Sequence, residues 1–308
     1  MSKNSGLDKI RSDRLLRRKA MLEKGQRPFV DQFKKTHTCA TVSSTLEGVC
    51  VCVAGRLMSI RDMGKTVFGH IQDESGRVQL MLRRDSMDTR AFDDFKSLLD
   101  IGDILGCEGE TFMTRSGEPS VRVANLKILS KSLRPLPDKH HGLRDEAMRF
   151  EKRYLDILMD ENVRERFRIR TRVIGLIRQF LDSHEFMEVE TPQLQALMSG
   201  ANATPFETRH RVLDRTLILR IAPETYLKRL IVAGYERVYE IGKNFRNEGM
   251  DRSHLQEFTM LEYYAAWWNM WDNFTFIQAM LRTVIKNATG SLAVPYGELT
   301  FDFSGEWQ

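Results

Sequence analysis

The stretch FRNEGMDRSHLQEF, residues 245–258, sets ten polar or glycine residues between two phenylalanines. A charge run of this kind reads as a solvated hairpin loop unless its flanks give it a task. Both flanks alternate. RVYEIGKNFR (237–246) and EFTMLEYYAA (257–266) read as antiparallel strands around a long connection, and long connections in compact domains tend to carry function. Side chains two apart on a strand share a face. Arg246 therefore goes with Asn244 and Gly242, and Phe258 with Met260, Glu262 and Tyr264. If the two faces coincide, one surface carries a guanidinium, an aromatic platform, a carboxylate and a phenol, which is poor material for a core. Two arrangements stay open: a mutual Arg246–Glu262 salt bridge, or a pocket with an anion end at Arg246 and a cation end at Glu262.

Other elements must position that surface. Residues 145–159 and 162–185 read as charged helices; in the second, Val173, Ile177, Phe180, Leu181 and His184 fall on one face. It runs into FMEVETPQL, an alternating strand whose Pro192 marks a strand end or an edge. Upstream, LRPLPDKHHG (133–142) has the prolines and glycine of a domain join, and its His140 and His141 read as linker or interface residues. Before the join, GVCVCVAGRL, KTVFGHIQDE and RVQLMLRR read as strands, the last two as a hairpin about Ser75-Gly76. Residues 87–100 read as a helix, and strands follow at 103–113 and 119–130. Three strands, a helix and two strands fit a five-stranded barrel of the OB type, which binds oligonucleotides on one face; some other small β-barrel is the competing pattern.

At 308 residues the chain has room for two domains with real cores. No run approaches the ~18 apolar residues of a membrane span, and the N-terminus lacks the apolar core of a signal peptide, so the expectation is a cytoplasmic protein. Cys39, Cys50, Cys52 and Cys107 include no C-x-x-C pair. His37 beside Cys39 falls short of a zinc ligand set, and no metal site is expected. Cys50 and Cys52 share one strand face and read as small buried hydrophobes. Of the net charge of +5, residues 1–27 hold nine Lys or Arg against three acids, leaving the rest of the chain near neutral. A basic tail on a neutral body points to a polyanion, with nucleic acid favoured over a membrane surface. Its weak stripe of Leu15, Leu16, Ala20 and Leu22 predicts a helix lying loosely on another element and too thin for membrane insertion.

With these elements in place, FRNEGMDRSHLQEFTMLE resembles motif 2 of the class II aminoacyl-tRNA synthetases, and FMEVETPQL the end of motif 1. The order of basic helix, OB barrel, LPDKHHG join, RYLDI, motif 1, APETYLKRL and motif 2 is similar to the lysyl-tRNA synthetases of subclass IIb, over nearly all of residues 9–305. The resemblance implies an α+β chain in four parts. These are a basic helix (1–30), an OB-fold anticodon-binding domain (31–132), a linker (133–144) and a class II catalytic domain (145–308) with a partial antiparallel sheet and flanking helices. It implies that Arg246 grips the ATP α-phosphate and the amino-acid carboxylate, for which a bidentate fork is suited. Glu248 and His254 would lie near the adenine and outer phosphates, and Phe258 would stack on adenine. Glu224 and the backbone at Gly200 would hold the substrate α-ammonium, and Glu262 and Tyr264 would read the lysine ε-ammonium. In the barrel, Arg61, Phe68, Gln79 and Glu118 would read a U-rich anticodon, an aromatic with amide and carboxylate groups suiting unpaired bases. The implied activity is lysine–tRNA ligation: the lysine carboxylate attacks the ATP α-phosphorus, pyrophosphate leaves, and the lysyl group passes to the tRNA 3′ end. Its partners would be ATP, lysine, tRNA-Lys and a second copy of the chain, joined through the motif 1 region.

The sequence departs from the family in two places. Motif 3, with its second ATP-binding arginine, the Mg²⁺-binding carboxylates and the main ε-ammonium carboxylate, has no counterpart before Gln308. The expectation is therefore an incomplete portion of a longer enzyme, with a non-catalytic tRNA-binding or regulatory protein as the alternative. A paralogue that lysylates protein would lack the barrel. Second, where relatives read His-Asn-Pro-Glu-Phe, this chain has His254-Leu255-Gln256-Glu257-Phe258, and loss of the proline is expected to loosen the loop.

Overall fold

The computed structural model describes residues 3–137, 143, 145–251 and 253–307, with backbone alone for residues 3–5. His140, His141 and the later half of the 133–142 join lie outside the described residues. The chain forms two compact units, one ending at Met159 and one beginning at Asp160.

The first unit contains α1 (Lys3–Glu23), α2 (Cys39–Val42), β1 (Cys50–Asp62), β2 (Thr66–Gln72), β3 (Arg77–Arg83), α3 (Thr89–Leu98), β4 (Ile104–Met113), β5 (Pro119–Ser130), α4 (Glu146–Glu151) and α5 (Arg153–Met159). The five strands close into a barrel in the order β1-β2-β3-β5-β4, with β3 and β5 parallel and the other pairs antiparallel. Strand alternation puts Val51, Val53, Leu57, Val67, Ile71 and Leu80 inside, and α3 adds Phe92, Phe95 and Leu98. This is the barrel expected from the sequence, and each strand lies within a few residues of its predicted span.

Two local expectations fail. Cys50 is exposed and Cys52 half-buried, while the buried cysteines are Cys39 and Cys107. The inward face of β1 belongs to its valines, so the two thiols point outward, and the Cys52 thiol donates to the Lys34 carbonyl (3.1 Å). Helix α1 does not lie loosely on its leucines: Leu15, Leu16 and Leu22 are exposed, and the docked side chains are Arg14 and Met21. Arg14 donates to the carbonyls of Ile101, Ser132 and Arg134. Arg17 pairs with Asp100 and Lys24 with Asp94, both beneath the helix. Buried Lys131 holds Asp100 and Asp103 at 2.6 Å. Charge that the sequence assigned wholly to a polyanion is therefore partly structural.

The second unit contains α6 (Glu161–Ser183), β6 (Met187–Glu188), β7 (Leu194–Gln195), β8 (Glu207–His210), β9 (Arg215–Leu219), α7 (Glu224–Val232), β10 (Arg237–Phe245), β11 (Glu257–Ala265), α8 (Met270–Thr289), β12 (Ala293–Tyr296) and β13 (Leu299–Asp302). One sheet runs β11-β10-β6 and a second β7-β9-β8. The expected alternating strand FMEVETPQL is in fact a two-residue edge pairing of Met187 and Glu188 with Val238 and Tyr239. Phe186 leaves that line to enter the core, and the chain departs before Pro192. The odd-numbered face of β10 and β11 meets α6 and α8: Tyr239, Ile241, Leu261 and Tyr263 pack with Phe180, Leu181, Phe186, Phe276, Met280 and Val284. Each of the fully buried side chains among them contributes roughly 1.5–3 kcal/mol by burial. Val173 and Ile177 join this core as the helix pattern predicted, while the exposed His184 ends α6 with Nδ1 2.7 Å from the Phe180 carbonyl. No helix among the described residues is long and apolar enough to cross a membrane.

Candidate functional site

The aromatic core occupies the odd-numbered face of the β10–β11 ribbon; on the even-numbered face Val238, Glu240 and Asn244 are buried and Phe258, Met260, Glu262 and Tyr264 half-buried. In register, Asn244 pairs with Phe258, Gly242 with Met260, Glu240 with Glu262 and Val238 with Tyr264. Directly opposed residues project to the same side, so the two faces do coincide. Arg246 follows at the ribbon end, where its N–H donates to the Gln256 carbonyl (2.9 Å) and its guanidinium lies 5.1 Å from the Phe258 ring centre.

Arg246 and Glu262 form no ion pair among the described residues. The carboxylate that is paired is Glu240, a residue not singled out from sequence. Arg220, fully buried at the end of the APETYLK approach, places Nη1 2.5 Å from Glu240 Oε1. The same group donates to Thr191 Oγ1 (2.9 Å), whose hydroxyl donates to Glu240 Oε2 (2.6 Å). Arg220 Nε donates to the Lys243 carbonyl (2.9 Å). One side chain thus ties the end of the motif 1 segment, the approach to α7 and β10. It lies across the face only because Gly242 has no side chain: a Cβ there would overlap Arg220 Nη2. A glycine inside a strand signals such a close approach, and with Glu240 on the Arg246 face it was the clue in the sequence.

The far end gathers Gly200, Glu224, Glu262 and Tyr264. Gly200 has φ +91°, and a Cβ there would come within 3.0 Å of the Glu224 Cβ, so conformation and space both call for glycine. Glu224 opens α7 behind Pro223 and pairs with Lys228 one turn on (2.5 Å). The Lys228 ammonium also sits 5.9 Å over the Tyr264 ring, and neither contact was anticipated. Burial, with Glu224 nearby adding to it, pushes the Glu262 carboxyl above its ordinary value, opposed by the Tyr264 hydroxyl and Arg220. Burial likewise raises the Tyr264 phenol, with Glu262 adding to it. A half-buried carboxylate held this way favours a cation beside it.

Among the described residues, three side chains on or beside this face have polar atoms without a hydrogen-bond partner: Arg220 Nη2, both amide atoms of Asn244, and Arg246 Nε. Buried polar groups are overwhelmingly hydrogen-bonded, so these are the atoms on this face for which a bound ligand would supply partners. Glu248 and His254 stay out on the exposed loop. Glu248 accepts from the Thr204 N–H (3.3 Å), and His254 is tied to Asp251 (2.7 Å). Gln256, where relatives carry proline, donates from its amide to the Glu248 carbonyl (3.1 Å), a cross-loop bond proline could not make. The expected loosening is therefore opposed by a new tether.

In the barrel, Arg61, Phe68, Gln79 and Glu118 all line one hollow of about 600 Å³, with Ser59, His70 and Arg115. Arg61 is paired with Phe68 across β1–β2, and His70 with Gln79 across β2–β3. Phe68 is half-buried on the outward face and stands apart from the barrel core formed by Val67 and Ile71. Glu118 accepts from Gln79 Nε2 and from His70 Nε2, both at 2.7 Å. Among the described residues no group of three His, Cys, Asp or Glu side chains is placed to hold a metal ion.

Comparison with known proteins finds a family match over each of these regions. Residues 145–307 match the family model of tRNA synthetases class II (D, K and N), and residues 51–129 match that of the OB-fold nucleic acid binding domain. A lysine–tRNA ligase of Thioalkalivibrio sulfidiphilus is 54% identical over 253 residues, covering 82% of this chain and 50% of that protein. One of Aquifex aeolicus is 50% identical over 82% of this chain and 42% of its own length. One of Magnetococcus marinus is 45% identical over 96% and 61% respectively. The chain thus spans about half the length of the curated relatives it matches. With motif 2 folded as an antiparallel ribbon and the barrel ahead of it, the chain belongs to the class II tRNA synthetases (D, K and N).

Proposed function

We propose that this chain is the anticodon-reading and amino-acid-facing part of a lysine–tRNA ligase. The observation that carries this reading is the even face of β10–β11, with a guanidinium and an aromatic at one end and half-buried carboxylates at the other. Phe258 and Glu262 are four residues apart, about 13 Å along a strand, a span that separates a nucleotide end from an ammonium end. Arg246 holds the junction between α-phosphate and substrate carboxylate, and Phe258 stacks on the adenine. Glu224 and the Gly200 backbone take the α-ammonium, while Glu262 and Tyr264 take the ε-ammonium. Transfer then rests on holding the carboxylate in line with the α-phosphorus and on neutralising developing charge at Arg246. Glu248 and His254 reach the nucleotide by movement of their exposed loop.

The Mg²⁺ expected of the family finds no fitting ligand set among the described residues, and no step is assigned to it. A cytoplasmic location and a homodimer built on α6 and the segment to Pro192 belong to the same proposal; the exposed Phe167 and Met187 support the dimer. Sedimentation at one-chain mass across micromolar concentrations would count against the dimer.

The test of the pocket is calorimetric binding of a non-hydrolysable lysyl-adenylate analogue to the 308-residue chain. Wild type should bind it in preference to a seryl analogue. Arg246→Ala should weaken binding about 10- to 100-fold, the scale of a hydrogen bond to a charged group. Equal affinity for the two analogues would defeat the lysine reading.

A further inference from the structure

We propose that His70 is a positioning residue of the barrel hollow, fixing the Glu118 carboxylate as a directional acceptor for an unpaired RNA base. This rests on the nucleic-acid reading of the barrel given above.

The hydrogen bonds around Glu118 run in one consistent direction. His70 Nε2 donates to Oε1 and Gln79 Nε2 donates to Oε2, each at 2.7 Å. The Ser120 hydroxyl donates to Gln79 Oε1 (2.9 Å), which fixes the orientation of that amide. His70 Nδ1 lies 2.9 Å from the Ser59 hydroxyl, which donates to it when the ring is neutral. Each of these four bonds pairs one donor with one acceptor, and such a chain rigidifies its members. Glu118 is otherwise free to turn, since 43% of its side chain is exposed. With one donor it could pivot about the Gln79 bond; the second donor, at the other oxygen, stops it.

The hollow also contains Arg61 and Arg115, either of which could have taken the carboxylate. Among the described residues neither has an ion-pair partner, so both guanidinium groups remain for the RNA, Arg61 beside the base readers and Arg115 for phosphate. His70 thereby separates two tasks that one Arg–Glu pair would have cancelled: phosphate attraction and base reading. What stays open toward a base is the second N–H of Gln79 and the outer lone pairs of Glu118. With the base held in one place by stacking on Phe68, a fixed acceptor opposite N3 takes the N3–H of uracil but faces a lone pair in cytosine, whose N3 is itself an acceptor. A carboxylate free to rotate would accept from either base. Uracil and cytosine have nearly the same shape, so the distinction depends on orientation alone.

The experiment is fluorescence anisotropy of the 308-residue chain with labelled RNA hairpins carrying a seven-nucleotide loop centred on UUU or on CCC, over a salt series. Wild type should prefer UUU by about 10-fold or more. His70→Ala should cut that ratio by about 5-fold while leaving the slope of log affinity against log salt unchanged, because the phosphate contacts remain. His70→Gln, whose Nε2 can replace the imidazole donor, should restore most of the ratio. Arg115→Ala should weaken both RNAs alike and flatten the salt slope. An unchanged ratio in His70→Ala, or a His70→Gln as indifferent as the alanine variant, would overturn the role of His70 while keeping the barrel as an RNA site. A wild type that binds both loops equally would overturn the base-reading proposal together with its premise.

Discussion

The barrel hollow and the β10–β11 face hold their polar groups in opposite ways. In the hollow, Glu118, Gln79, His70 and Ser120 are already hydrogen-bonded to one another before any ligand arrives. On the sheet face, Arg220 Nη2, the Asn244 amide and Arg246 Nε wait unpaired. A site that reads unpaired bases gains from fixed acceptors, because selectivity lies in orientation. A site that holds charged groups gains from unsatisfied donors, because affinity lies in ending their isolation. The difference also separates what each site leans on: a surface hydrogen-bond network in the barrel, a buried ion pair under the sheet.

That dependence gives the largest expected effect. Arg220→Met strands buried Glu240, and Gly242→Ala drives a Cβ into Arg220 Nη2. Removing one partner of a buried pair costs about 3–5 kcal/mol. Thermal unfolding should show the second unit destabilised on that scale by either change, with RNA binding by the first unit retained. If Arg220→Met leaves the melting profile untouched, the sheet face does not rest on this pair. By contrast, Glu118→Gln, at a half-exposed network, should change RNA selectivity with stability held within about 1 kcal/mol.

An intermediate effect concerns pH. Burial and Glu224 raise the Glu262 carboxyl above its ordinary value, so the acid form persists to higher pH than in a free glutamate. An ammonium binds the ionised form and releases the proton. Affinity for the lysyl-adenylate analogue should therefore be full above the raised value and fall as pH drops through it, by up to about tenfold per unit. Glu262→Gln should be weak and flat over the same range. A wild-type profile as flat as that of Glu262→Gln would remove Glu262 from the cation end.

The smallest effect belongs to the loop. Gln256→Pro loses the bond to the Glu248 carbonyl but keeps the carbonyl that accepts from the Arg246 N–H. Proline also narrows the unfolded chain, so the two terms oppose and the net change in stability should stay within about 1 kcal/mol. A larger loss on unfolding would show the glutamine tether to be the main constraint on the loop.

The sequence made much of this legible, and the reasons differ by residue. The alternation of 237–246 and 257–266 fixed which side chains share a face, since the pleat has a period of two whatever surrounds it. The barrel strands were equally plain. The two-residue β6 was not: Phe186 was drawn out of the alternating line by the aromatic core around Phe276. Cys50 and Cys52 were misplaced because alternation says which residues share a face, not which face is inward. Helix α1 looked loosely held because its docking side chain is an arginine, which pattern rules assign to solvent.

By itself, then, the sequence determined the strands, the order of the two units and the grouping of Arg246, Phe258, Glu262 and Tyr264, all consequences of local periodicity and motif order. Only the tertiary structure decided which carboxylate receives a partner. Glu240 pairs with Arg220 and Glu262 does not pair with Arg246, because the partners come from segments twenty or more residues away, brought together by the core behind the sheet. His70 was invisible for the same reason: nothing near it in the chain foretells Glu118, which reaches it only when β5 closes the barrel against β3.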